Sequence, residues 1–417
     1  MTADGSFDGL TAKGLPLDGS WTREQIALSG WNVANGDTAT PVATLNARML
    51  DSNARAMQEW CLANGVALAP HAKTTLSPEL IALQEHHGAW GMTAALPRQA
   101  AALWKQGVNT VLLANEVSDP SAIAWLAGHV ASGPDRHLLL YADSVDGVRL
   151  LERALTGLDK DVTLDILVEL GQPQGRTGAR SVAEGQEVAR AVLASRRLRL
   201  AGVAGYEGII GSARDAGVLG RVDAFLEDVG TLAESLSGMF EIPEPVVTAG
   251  GSIFFDRVVS KLADRVQKLG ALLVLRSGCY LIHDHGLYAR GTPESAGVPG
   301  APTFEAALAV WARVVSTPEP GRALLDAGRR DLSFDAGLPV ALERFRGDER
   351  LDVSPNAVIS ALSDQHTFMD FPADVDIRVG DIVKLGISHP CTTLDRWRVL
   401  LLVDDANVVT GLVTTAF

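Results

Sequence analysis

Lys73 lies in the run Ala69-Pro70-His71-Ala72-Lys73-Thr74-Thr75, after a short apolar stretch and before a helix start. Most lysines are solvated charges and poor nucleophiles. In a partly desolvated pocket the amine gives up its proton more readily; it can then form a Schiff base with a carbonyl compound and later carry a proton. Two other spacings could act beside it. Gly250-Gly251-Ser252, and the Gly278 turn of Arg276-Ser277-Gly278-Cys279-Tyr280, allow backbone amides to approach an anion. In Gly386-Ile387-Ser388-His389-Pro390-Cys391-Thr392-Thr393, His389 and Cys391 stand two apart. In extended chain they project to the same side and can share one metal ion. Imidazole with thiolate suits zinc, and two protein ligands leave positions open for water and substrate oxygens. Each feature also has an ordinary reading: a solvated lysine, a plain turn, a buried cysteine beside a chance histidine.

The elements that must position these residues alternate. Amphipathic stretches at 51–64, 78–87, 97–106, 120–131, 144–155, 182–195, 215–237 and 254–268 predict helices. Short apolar runs at 66–69, 90–94, 110–114, 137–142, 164–169, 200–205, 245–248 and 271–275 predict strands between them. Repeated strand-then-helix units imply parallel strands. Eight units over roughly 230 residues fit a (β/α)8 barrel of the triosephosphate-isomerase type better than an open sheet. After about residue 285 the texture changes. Runs at 306–316, 322–327, 381–386 and 399–404 read as strands without intervening helices. The expected division is a barrel over 40–285 and an all-β domain over 286–417 that carries the His389–Cys391 pair, with 1–39 packed on it.

A barrel of this kind builds its active site from the C-terminal ends of its strands. The first strand delivers His71 and Lys73, which form the candidate catalytic set together with His366 of Asp364-Gln365-His366. The fifth ends in Glu169-Leu170-Gly171-Gln172-Pro173-Gln174-Gly175-Arg176, where Arg176 between glycines can reach a cofactor oxygen. Tyr206 closes the sixth; it either caps the barrel or directs its hydroxyl at a cofactor ring. Loops after the seventh and eighth strands are the usual phosphate site in this architecture. Gly250, Gly251, Ser252, Gly278, Cys279 and Tyr280 are therefore assigned to cofactor binding with Lys73, Arg176 and Tyr206. A phosphate-bearing aldehyde, pyridoxal phosphate, would join the lysine and the phosphate site in one ligand. His283, Asp284 and His285 cluster at the barrel exit, as a hinge network or as catalytic groups.

Composition narrows the partners. The 417 residues carry a net charge of −14, which argues against nucleic acid or an anionic membrane and leaves a small molecule as the partner. Three cysteines cannot form a disulfide framework in a chain of this size, so a reducing, intracellular setting is expected. No run approaches a membrane span and the first twenty residues lack a signal-peptide core, so a soluble, cytoplasmic protein is expected.

Together these pieces resemble the D-serine dehydratase-like and D-threonine aldolase family, of the fold-type III pyridoxal-phosphate enzymes with an alanine racemase-like barrel. Pro70-His71-Ala72-Lys73-Thr74 looks like its Schiff-base segment, 169–178 its strand-five loop, and Gly250-Gly251-Ser252 with Gly278-Cys279-Tyr280 its phosphate loops. Asp326-Ala327-Gly328 and Ser333-Phe334-Asp335-Ala336-Gly337 match its second domain, and Ser388-His389-Pro390-Cys391 its metal pair. The resemblance implies a barrel plus β-domain, a homodimer with active sites at the subunit interface, a divalent metal, and D-amino acids with a β-hydroxyl as substrates. It also places Arg176 at the cofactor phenolate oxygen and Tyr206 near the ring nitrogen. The pair here is His with Cys, which looks like the zinc-dependent dehydratases; the aldolases have His with Asp. A segment that reads Glu-His in relatives is Gln365-His366 here. The implied activity is a D-serine dehydratase giving a 2-oxo acid and ammonia, with Lys73 taking the α-proton. The alternative is a D-threonine aldolase giving glycine and an aldehyde. A racemase would need a second base and no metal, and a non-catalytic cofactor carrier would need no metal pair.

Overall fold

The computed structural model describes residues 5–133, 135–158, 162–251 and 253–417. Eight parallel strands form one sheet: Ala67–Leu68, Met92–Ala94, Thr110–Leu113, His137–Ala142, Leu164–Leu170, Leu198–Gly205, Val246–Ala249 and Leu272–Leu275. The first strand pairs with the eighth, and the others pair in sequence order. The ring closes between the first and second strands, where Trp90 N–H donates to Leu68 O (2.8 Å) and Thr93 N–H to Pro70 O (2.9 Å). A further bridge joins His71 to Thr93. The segment carrying His71 and Lys73 is thus part of the closure, which fixes its direction at the barrel mouth.

Period-two alternation explains the two layers of core. In the fourth strand Leu139 and Tyr141 belong to the cluster enclosed by the ring, with Leu112, Leu167, Ala201 and Val274. Their neighbours Leu138 and Leu140 belong to the cluster between strands and helices. Each fully buried Leu or Val there contributes about 1.5–3 kcal/mol. Helices begin where caps dictate. The Asn46 side chain accepts from Met49 N–H (3.0 Å), and Pro78, Pro97 and Pro120 occupy first-turn positions that need no donor. Gly202 allows a close approach: a Cβ there would lie 1.8 Å from Val246 O on the neighbouring strand.

The second sheet is built mainly from the chain after residue 307, around the long strand Leu308–Glu319. One of its strands comes from elsewhere. Val42–Asn46 pairs antiparallel with Leu308–Glu319 and parallel with Val399–Val403, so the barrel begins after residue 46 and not at 40. A five-residue strand such as Val-Ala-Thr-Leu-Asn does not say from its own pattern which sheet it joins; the pairing partner decides. Phe7, Leu15, Ile26 and Val33 of the N-terminal segment pack with Val42, Trp311, Phe345 and Leu401 on one side of this sheet. Among the described residues no helix is long and apolar enough to cross a membrane.

Candidate active site

A cavity of about 520 Å³ opens at the C-terminal ends of the strands. It brings together His71, Lys73, Arg176, Tyr206, Gly250, Gly251, Gly278, Cys279, His389 and Cys391 from the sequence-derived set. Lys73 sits on a single 3-10 turn, Ala72–Thr74, and its side chain is exposed to the cavity. It makes no hydrogen bond or ion pair among the described residues. The desolvation expected of it is therefore not a property of the open cavity. His71 beside it has a buried Nδ1 without a partner, and burial, followed by the charges of Lys73 and Arg276, holds the ring well below the ordinary histidine range. It is a neutral imidazole. Arg176 stacks over the Tyr206 ring at 4.5 Å. Its loop is tied down by Ala179 N–H donating to Glu169 O (2.8 Å) and Gly178 N–H donating to Asp143 Oδ2 (3.0 Å). Burial first, then Glu207, raises the Tyr206 phenol above its usual value.

The anion-binding side differs from the sequence expectation. Glu207, fully buried, accepts from Gly250 N–H (3.0 Å) and Gly251 N–H (2.5 Å), so the carboxylate after the sixth strand occupies the two amides assigned to a phosphate. At the eighth strand the amides of Gly278 and Cys279 have no partner among the described residues. A Cβ at Gly278 would meet His71 O at 2.6 Å and Thr74 Oγ1 at 2.9 Å, so this turn needs glycine to lie against the lysine segment. Tyr280 is a correction: it is buried away from the cavity, its hydroxyl accepting from Gln84 Nε2 (3.0 Å). His366 is another. It is exposed in the turn between Val358–Leu362 and Thr367–Asp370, where its carbonyl accepts from Ser363 N–H, and it does not line the cavity. Ser252 lies outside the described residues. The cluster at 283–285 forms the hinge: the buried Asp284 accepts from Gly286 N–H (2.7 Å) and Tyr288 N–H (2.9 Å), capping the turn that leaves the barrel.

His389 and Cys391 reach the cavity from the second domain, though not on extended chain. Pro390 starts a short helix, Pro390–Leu394, with His389 as its N-cap residue and Cys391 in its first turn. His389 Nδ1 lies 2.7 Å from Asp335 Oδ2, and Thr392 Oγ1 donates to Asp335 Oδ1 (2.6 Å). Hydrogen bonding to the Cys391 sulfur, aided by Asp335, raises the His389 ring to about 9. Hydrogen bonds from Cys279 and His389 hold the Cys391 thiol well below its ordinary value. A thiolate, with an imidazole fixed by a carboxylate on one nitrogen and able to yield the proton on the other to a metal, forms a donor set that fits a divalent metal such as zinc. Among the described residues no group of three or more His, Cys, Asp or Glu is arranged to hold one.

The family model described as "Putative serine dehydratase domain" matches residues 307–403, the segment that carries this pair. D-threonine aldolase of Arthrobacter sp is 26% identical over 372 residues, 88% of this chain and 90% of that enzyme. D-threo-3-hydroxyaspartate dehydratase of Delftia sp. (strain HT23) is 26% identical over 376 residues, 85% of this chain and 91% of that enzyme. Over most of its length the chain is similar to aldolases and dehydratases of β-hydroxy D-amino acids. The fold agrees: the crystal structure of D-threonine aldolase from Filomicrobium marinum superposes with a TM-score of 0.76 at 24% identity, covering 91% of this chain and 95% of that one.

The structure adds residues that the sequence reading passed over. Arg276 is buried, donating to Thr248 Oγ1 (2.6 Å) and Gly205 O (2.7 Å), with its guanidinium 5.8 Å from the Tyr141 ring. Across the ring, Glu169 and Tyr141 line the cavity with Glu169 Oε2 and the Tyr141 hydroxyl unpartnered, and Glu116 lies behind them. No donor reaches either Glu116 oxygen, and burial, then the Glu169 carboxyl, pushes its pKa far above the carboxylate range. A buried carboxyl that faces another carboxyl and receives no donor is tenable only when it holds its proton. The groups facing Glu116 are Glu169 on the fifth strand, Tyr141 on the fourth and Asp143 just after it, with Arg276 and Arg176 acting beyond Tyr141. The native state keeps a proton that the unfolded chain releases above about pH 4.5, so raising the pH from there through neutrality destabilises the fold. Glu116→Gln removes that loss. Its Tm relative to wild type is expected to climb steadily across this window in thermal melts; a pH-independent difference would refute the retained proton.

Proposed function

We propose that this chain is a pyridoxal-phosphate- and metal-dependent lyase of D-amino acids with a β-hydroxyl, of the D-serine dehydratase type. The observation that carries the reading is that Lys73 and the His389–Cys391 pair, from different domains, open into the same cavity. The residues present fit the cofactor. Lys73 Nζ would hold its aldehyde, the free amides of Gly278 and Cys279 its phosphate, and Arg176 stacked on Tyr206 would contact the ring and its phenolate oxygen. When bound, the cofactor supplies an electron sink for charge developing at the α-carbon. A metal on His389 and Cys391 would supply a Lewis acid for a departing β-oxygen.

The chain's own residues account for the rest. The Lys73 amine is the base placed to take the α-proton, and it sits on a rigid closure segment, so its reach is set before substrate enters. His71 is neutral, so it adds no positive charge beside the lysine, and it can accept or donate one proton at Nδ1. Asp335 orients the His389 ring. Arg276, tied to Thr248 and Gly205, presents a fixed cation on the wall between the sixth and eighth strands. The exposed Phe334, Leu338 and Val340, in the stretch around Asp335, support a homodimer.

The aldolase reading uses the same parts and is favoured by the likeness to a D-threonine aldolase. The two differ in products. Incubation with D-serine and D-threonine is expected to yield pyruvate and 2-oxobutyrate with ammonia. Acetaldehyde and glycine without oxo acid would replace the dehydratase reading by the aldolase one, and no product from either substrate would remove both.

A further inference from the structure

Cys279 Sγ and Cys391 Sγ lie 3.4 Å apart, in van der Waals contact, although 112 residues separate them. Cys279 opens the single turn Cys279–Leu281 after the eighth barrel strand, and Cys391 lies in the first turn of the short helix in the second domain. Both line the cavity, and Cys391 is the more open of the two. Thr74 Oγ1 touches both, at 3.7 Å from Cys279 and 3.5 Å from Cys391, and holds them in place. The third cysteine, Cys61, is buried in the helix Ala47–Ala63 and does not line the cavity, so it serves as an internal control.

We propose that Cys279 and Cys391 form a site of oxidative modification: a reversible disulfide that ties the barrel to the second domain and withdraws Cys391 from the metal pair. The sulfurs need to close by only about 1.4 Å to reach bonding distance. With hydrogen peroxide as oxidant, the more open Cys391 sulfur attacks one peroxide oxygen. The O–O bond breaks, hydroxide leaves, and the sulfur becomes a sulfenic acid. The Cys279 sulfur then attacks that sulfur, the S–O bond breaks, and water departs. Two thiols lose two electrons and two protons in all, and one peroxide becomes two waters. A dithiol reductant reverses the change by exchange. Only the consequence for the metal rests on the proposed lyase reading; the cross-link does not.

The test treats the full-length protein with one equivalent of hydrogen peroxide, after chelation or after zinc loading, and counts thiols under denaturing conditions with peptide mapping by mass spectrometry. In the chelated protein the three thiols are expected to fall to one, with a single intrachain 279–391 cross-link that dithiothreitol removes. The Cys61→Ser variant falls from two to none, and Cys279→Ser forms no intrachain bond. Three surviving thiols, a bond that includes Cys61, or bonds only between chains would overturn the proposal. Zinc is expected to slow the reaction at least tenfold. A cross-link that forms equally fast with zinc would leave the bond standing and remove His389 and Cys391 as a metal pair, which separates the two readings.

Discussion

Lys73→Ala is expected to fold normally, to bind pyridoxal phosphate without the near-visible absorbance of a lysine-linked cofactor, and to lose at least about a thousandfold in turnover, within the range set by removal of a positioned base. The side chain is exposed to the cavity and makes no hydrogen bond or ion pair among the described residues. Truncation therefore leaves no buried group unsatisfied and opens no core void, and its effect on stability should stay within about 0.5 kcal/mol. That separation makes the variant informative: activity falls while the melting curve stays. Borohydride reduction of the wild type should add the cofactor mass to the peptide containing Lys73 and to no other. Lys73→Arg should behave like the alanine variant, because a guanidinium keeps its proton and does not attach to the aldehyde. Retention of the absorbance by either variant would move the anchor elsewhere and dismantle the proposed site.

The eight barrel strands were legible because short buried runs between amphipathic helices carry two distinct periods, and because a ring of parallel strands obliges its functional residues to follow the strand ends. That rule placed Lys73, Arg176 and Tyr206 in one cavity from order alone. It was blind to lateral neighbours. Glu116 follows the third strand and reads as a surface carboxylate; it becomes a buried acid because closure sets it against Glu169, two strands away. Gly250 and Gly251 offered two amides, but the sequence could not rank a phosphate against Glu207, the buried carboxylate one strand over. The strand at 42–46 was not read from the sequence, and only its pairing with Leu308–Glu319 assigns it to the second sheet. In the second domain Pro390 was an available sign that the extended chain ends at His389, and reading it would have placed Cys391 on a helix. For His366 no local signal existed: a histidine in a hairpin turn looks the same whether the turn faces a cavity or solvent.

Asp335 separates the metal pair from a mere polar cluster. It does not itself line the cavity; it grips the far nitrogen of His389, which does, and is itself held by Thr392. The support extends inward. His389 N–H donates to Ser333 Oγ (3.1 Å), the Ser333 and Ser388 hydroxyls are 3.1 Å apart, and Ser388 Oγ donates to Gly337 O (2.7 Å). Two segments some fifty residues apart are thus stitched so that one imidazole holds one orientation. If that orientation serves a metal, Asp335→Ala should lower zinc affinity by about 10- to 100-fold, the usual cost of losing a carboxylate behind a ligating histidine. Excess zinc should then restore turnover. His389→Ala and Cys391→Ala should retain no zinc after dialysis and lose at least about a hundredfold in turnover that added zinc does not recover, since a Lewis acid supplies several kcal/mol and each 1.36 kcal/mol is tenfold in rate. Metal content by elemental analysis, read beside turnover, distinguishes the three variants. Equal turnover in all of them with undiminished zinc would mean that Asp335 and His389 only brace the second domain against the barrel. The graded pattern, rescue for Asp335→Ala and none for the other two, is one that bracing alone cannot produce, because added metal cannot repair a lost hydrogen bond between protein segments.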